Sequence, residues 1–151
     1  IQEGEMRMKR QKGQSMVEFA FILPLFVFIF LAIMYMGMLF ADYLSFNDIA
    51  RSAARYAAIN GTDATTISTL RTSYDTKYSS GDIMHTSLYK WNPESEDDFY
   101  ITKSTDGKSV SVKIVLRESE ENEGVSMNSV LSFAVPKTLT ITYEMYNEKG
   151  T

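Results

Sequence analysis

The apolar positions of this chain follow three patterns in turn. From Phe19 to Ala41 no residue is charged, and the run is dense in Phe, Leu, Ile and Met. As a helix it covers about 34 Å, against roughly 30 Å of bilayer hydrocarbon. It lacks the polar stripe that a soluble core helix would show. Beyond it Phe46, Ala50, Ala53 and Ala57 recur at steps of three and four, a narrow small-residue face. Asn60-Gly61 gives this helix a stop, so one continuous helix is expected from about Met16 to Ile59. Thr62 or Asp63 can cap a second helix from about Ala64 to Lys77, ending near Ser79-Ser80-Gly81.

After that the period becomes two. Phe99 and Ile101 alternate with Tyr100 and Thr102, and Asp106-Gly107 supplies a tight turn. Val110, Val112, Ile114 and Leu116 then line one face of a strand. Leu139, Ile141, Tyr143 and Met145 alternate with Thr138, Thr140, Thr142 and Glu144 in another. A further strand is expected within Ile83–Lys90, ended by Trp91-Asn92-Pro93, with Leu131, Phe133 and Val135 helping to cover the sheet. The predicted fold class is α+β: a long N-terminal transmembrane helix extending into a stalk, a second short helix, and a small antiparallel β-sheet head.

Charge orients this arrangement. Arg7, Lys9, Arg10 and Lys12 precede the apolar run, whereas residues 42–151 carry sixteen acidic and eleven basic side chains. The positive-inside bias places the N-terminus in the cytoplasm and the head outside it, in a single pass of the cytoplasmic membrane. A basic head and an acidic body separated by an apolar run is not a nucleic-acid binder's pattern. A cleavable secretory signal has an apolar stretch of about 7–15 residues, shorter than this one. Cysteine is absent, which removes disulfides, thiolate nucleophiles and thiolate metal sites.

Two residues break local rules. Glu18 sits at the cytoplasmic edge of the run, where an unpaired carboxylate in hydrocarbon costs roughly 2.5–3.5 kcal/mol. Pro24 lacks an N–H and frees the carbonyl of Ala20, so a bend or loosening is expected there.

Gly13-Gln14-Ser15-Met16-Val17-Glu18-Phe19, with basic residues before and the apolar run after, resembles the processing site of type IV pilin-like precursors. Leu23-Pro24, Gly37 with Phe40 and Tyr43, and Ala50-Arg51-Ser52-Ala53-Ala54-Arg55-Tyr56-Ala57-Ala58 follow in order. Together they resemble the TadE-like pseudopilins of tight-adherence (Tad/Flp) pilus systems, over residues 13–58. Tyr35, Met36, Met38 and Ala53 depart from that family's usual residues. The resemblance implies cleavage between Gly13 and Gln14 by a prepilin peptidase. It makes Glu18 the fifth mature residue, able to pair with the free N-terminal amine of a neighbouring subunit. Gly37, Ala50, Ala53 and Ala57 are candidate helix-packing positions. Whether the alanine face packs on the chain's own head or on other subunits is left open by the spacing.

Nothing here reads as an enzyme. His85 is the only histidine, and no glycine-framed nucleophile, phosphate loop or dinucleotide fingerprint is present. Glu94, Glu96, Asp97 and Asp98, and then Glu118, Glu120, Glu121 and Glu123, lack the spacing of a calcium loop and read as solvated. No cofactor or metal is expected. The domain reading is a basic leader over 1–13, a transmembrane and stalk helix over 14–60, and an exported head over 61–151. Expected partners are the prepilin peptidase, other pilin and pseudopilin subunits, the pilus assembly platform and the lipid membrane, with no nucleic acid. The rival reading is a permanently anchored extracytoplasmic sensor or ligand-binding protein that is not processed.

Overall fold

The computed structural model describes residues 2–119 and 136–147, with side chains from Gly13 onward. Two helices, α1 (Gln2–Asn60) and α2 (Ala64–Ser80), precede four strands. These are β1 (Tyr89–Lys90), β2 (Phe99–Lys103), β3 (Ser109–Glu118) and β4 (Thr138–Tyr146). The expected α+β class is what forms. Packing divides the chain into two compact units, Ile1–Gly37 and Met38–Thr151, with the boundary inside α1.

The first unit is helical from Gln2, earlier than the expected Met16. Residues 2–15 are mostly Gln, Glu, Met, Arg and Lys, all good helix formers, and the glycines at 4 and 13 do not interrupt them. Pro24 lies inside α1, which continues past it.

The second unit contains the sheet, and β3 is its centre. One edge of β3 pairs with β2 at Val110–Ile114 and then with β1 at Arg117–Glu118. Because β4 pairs with the same residues, from Ser109 to Arg117, it lies along the opposite edge. All pairings are antiparallel. Side chains alternate across a strand, so Val110, Val112, Ile114 and Leu116 fall on one face, and all four are fully buried. Phe99, Ile101 and Ile141 join them. The β2–β3 turn forms where Asp106-Gly107 predicted it. Gly107 takes φ 72°, and Asp106 Oδ1 accepts from Ser104 Oγ at 2.7 Å and the Lys108 amide at 3.1 Å. The Ser104 hydroxyl, then the Lys108 amide, hold the exposed Asp106 carboxyl below its ordinary pKa.

The helices cover the buried face. Phe46, Ala50, Ala53, Ala54 and Ala57 of α1 are fully buried, and α2 contributes Leu70 and Tyr74. Trp91 is the hub of this layer. Its ring lies edge-on to Phe46 at 5.4 Å, Phe99 at 5.5 Å and Tyr78 at 5.9 Å. Its Nε1–H donates to the Asp98 carbonyl at 3.1 Å. Ser52 and Tyr74 hydroxyls, 2.8 Å apart, tie α1 to α2. Asp63 is the N-cap of α2, accepting from the Thr66 amide at 3.1 Å. Gly81 closes α2 with φ 80°, a left-handed conformation that glycine adopts without cost.

The strand expected within Ile83–Lys90 shrinks to Tyr89–Lys90. Its first part is held by side chains instead of a ladder. Thr86 bonds to Asp42, and the His85 ring stacks on Tyr78 at 4.5 Å. Leu131, Phe133 and Val135 lie outside the described residues.

Candidate functional site

The first candidate surface is the apolar face of α1. Phe21 is 78% exposed, and Phe19, Ile22, Leu25, Phe26 and Phe30 are exposed with it. The most apolar window of this helix has no part buried inside the chain. A soluble core helix is covered by its own fold, so this surface needs another apolar medium. Length and composition suit a single membrane anchor.

Gly13, Gln14 and Glu18 lie together on the exposed surface at the start of this run. Gln14 Nε2 donates to Glu18 Oε1 at 3.3 Å, one helical turn along. A Cβ placed on Gly13 would meet nothing within 4 Å. A larger residue there is therefore accommodated by the chain itself. Gly37 is likewise open, and no close backbone approach uses it.

The remaining packing candidates sit in the second unit. Ala50, Ala53 and Ala57 are fully covered there by the head's own residues. The exposed positions of this stretch include Arg51, Arg55, Tyr56 and Ile59. Asp42 is the polar residue that sequence reasoning passed over. Its carboxylate is fully buried and accepts from the Thr86 amide and the Thr86 hydroxyl, each at 2.6 Å. These two bonds offset the desolvation of a buried charge. The only local sign of it was position, directly after the uncharged run.

No catalytic constellation assembles among the described residues. His85 is half-buried, stacked on Tyr78, and its Nδ1–H donates to the Ile83 carbonyl at 2.9 Å. Within the first acidic run, Glu96 pairs with Arg71 at 3.1 Å and Asp98 with Arg117 at 2.9 Å. The bond from Asp98, then its charge, raises the Arg117 pKa. Among the described residues no group of three or more acidic or histidine side chains could hold a metal ion. Glu120, Glu121 and Glu123 lie outside them. A groove of about 640 Å³ between α1 and α2 is lined by Asp48, Ser52, Tyr56, Ser73, Tyr74 and Lys77, among others. Its Ser52 hydroxyl is engaged by Tyr74 at 2.8 Å and by the Ile49 carbonyl at 3.0 Å, so the groove offers binding surface.

Residues 13–55 match the family of TadE-like proteins. The resemblance read from the spaced motifs therefore holds across the apolar run and into the alanine face. That similarity covers the apolar run and the start of the alanine face, and no more of the chain. No curated protein and no solved structure matches the chain.

Proposed function

From the TadE-like match of residues 13–55 we propose that this chain is a minor pseudopilin that takes part in assembling a tight-adherence pilus. It is inserted in the cytoplasmic membrane with the N-terminus inside and the head outside, and a prepilin peptidase cuts it after Gly13. One observation carries the reading. A Gly13–Phe19 processing-type motif, inside the matched region, leads directly into an uncharged and exposed helical run.

Gly13 is helical here, and a protease takes its substrate extended, so cleavage requires the helix to open locally. Glycine lowers that cost by about 1 kcal/mol relative to alanine. Cleavage frees a positive amine at Gln14, whose side chain already reaches Glu18 within one turn. The Glu18 carboxylate then has a charged partner available on an adjoining subunit, which offsets its placement beside hydrocarbon. Leader 1–13, anchor and stalk 14–60, and head 61–151 are the parts of the precursor on this reading. Its partners are the peptidase, pilin-like subunits and the assembly platform.

The test is the mass of the N-terminal peptide from membrane fractions of cells with and without the prepilin peptidase. A terminus at Gln14 that disappears without the peptidase is expected, and Gly13→Phe should leave the uncut precursor. Because a side chain at position 13 meets open space, misfolding does not explain that failure. An uncut chain in both strains would replace this reading with a permanently anchored sensor.

A further inference from the structure

The last strand leaves one edge of the sheet open. The Glu118 amide donates to the Lys137 carbonyl at 2.9 Å, and the Asn147 amide to the Lys108 carbonyl at 2.7 Å. Both bonds extend the register in which Ser109 faces Tyr146, and they set the phase of the ladder. Bonded pairs alternate along an antiparallel ladder, so the odd-numbered residues of β4 bond to β3. The backbone N–H and C=O of Thr138, Thr140, Thr142, Glu144 and Tyr146 therefore point away from it. All five residues are exposed, and among the described residues nothing bonds to these outward groups. β4 is nine residues long, with no proline, bulge or inward charge to blunt its edge.

We propose that this edge is an interface between two copies of the chain, β4 pairing antiparallel with β4 of the second copy about a two-fold axis at Thr142. On the opposite edge of the sheet the Phe99 carbonyl already accepts from Arg71 of α2 at 3.1 Å, so a side chain occupies the place where a strand would add. Head-to-tail stacking of sheets is thereby disfavoured, and β4 against β4 closes as a pair. The sequence of β4 suits its own copy. In the register that overlaps the whole strand, Thr142 faces Thr142, Thr140 faces Glu144 and Thr138 faces Tyr146. On the other face Ile141 meets Tyr143, and Leu139 meets Met145. Glu144 is the only charge on the strand, and this register keeps it from its counterpart, whereas like charges directly opposed destabilise. About ten backbone bonds form. Leu139, Tyr143 and Met145, half-exposed in the single copy, lie along the seam and gain cover from the second.

The chain has no cysteine, so single substitutions report cleanly. The full chain carrying Thr142→Cys, Thr138→Cys or Thr105→Cys is purified in detergent, with micelles in excess over protein, and treated with a mild oxidant. Paired residues at 142 have Cα atoms about 5.5 Å apart, within disulfide reach. Two residues at 138 lie roughly 27 Å apart across the same axis. Thr105 is in the β2–β3 turn. A disulfide-linked dimer is expected at 142, several-fold above 138 and 105. Adding Thr140→Pro removes an outward N–H that the fold does not use, so the dimer should be lost while Trp91 emission stays unchanged. No dimer at 142 overturns the proposal and leaves the edge to an extended segment of another protein. Equal dimers at all three positions overturn it as well, because they report collision of heads associated through α1. A dimer at 142 that survives Thr140→Pro in the folded chain does the same.

Discussion

Phe46→Ala is the sharpest probe of how the head is built onto α1. Phe46 is fully buried and lies edge-on to Trp91, with centroids 5.4 Å apart. Removing a buried aromatic of this size forfeits about 1.5–3 kcal/mol of burial. The edge-to-face contact adds about 0.5–1.5 kcal/mol. The cavity left between α1 and Trp91 brings the loss to about 3–5 kcal/mol. For a unit of this size that corresponds to a fall of roughly 10–25 °C in Tm. The assay is already in the chain, because Trp91 is the only tryptophan and sits 4% exposed at the hub. Its emission follows unfolding of the head in urea or heat, with the full chain in detergent micelles.

Phe40→Ala is the matched control. It is the same residue type, six positions earlier on the same helix, but 60% exposed. Its loss should cost under about 0.5 kcal/mol of head stability. Equal shifts in the two variants, or a change under about 1 kcal/mol for Phe46→Ala, would refute the reasoning that α1 completes the head's core through this face.

Three further outcomes are expected. Glu18→Ala should leave membrane insertion intact and reduce piliation, read by fractionation and by counting filaments; normal pili would remove the amine-pairing role. Asp63→Ala should cost about 1 kcal/mol by freeing the Thr66 amide at the start of α2, measured as a lower urea midpoint with an unchanged slope. Burial raises the Tyr74 pKa above its ordinary value, and the bond to Ser52 opposes this only in part. The folded state thus holds that proton more tightly, so the contribution is complete below about pH 10 and is lost as pH rises through the folded value. Tyr74→Phe should remove this alkaline part of the stability profile, and an identical profile in the variant would show that another group titrates.

The strands and α2 were legible because their signals are local. Val110 to Leu116 and Leu139 to Met145 alternate over whole strands, and a register that buries one face is the only one that satisfies them. Asp63 and Gly81 are chosen by backbone conformations set within a few residues. Trp91 was not legible. Beside Asn92 and Pro93 it reads as the end of a strand, yet its place depends on α1, α2 and β2 converging on it. Asp42 fails for the same reason. In sequence it is the first charge after a membrane run, and its partner Thr86 is 44 positions away. The loop that Thr86 belongs to buries Ile83 and Leu88 as a strand would, but side-chain bonds to α1 replace the ladder there.

The alanine face was the feature whose spacing could not choose between two uses, since small residues allow close approach to any partner. Burial now separates the uses. Ala50, Ala53 and Ala57 are covered by the head and become available to another subunit only if the head opens. Opening it exposes Phe46 and Ile49 with the alanines and breaks the Asp42–Thr86 bonds, so it costs more than Phe46→Ala alone, above about 3–5 kcal/mol. On the pseudopilin reading, a helix contact between subunits through residues 42–60 would use the opposite face, where Tyr43, Leu44, Arg51, Arg55, Tyr56 and Ile59 stand exposed. That face also carries exposed Asp48, three residues before Arg51, so its charge is mixed and any contact there rests on the exposed Tyr43, Leu44, Tyr56 and Ile59 as much as on charge.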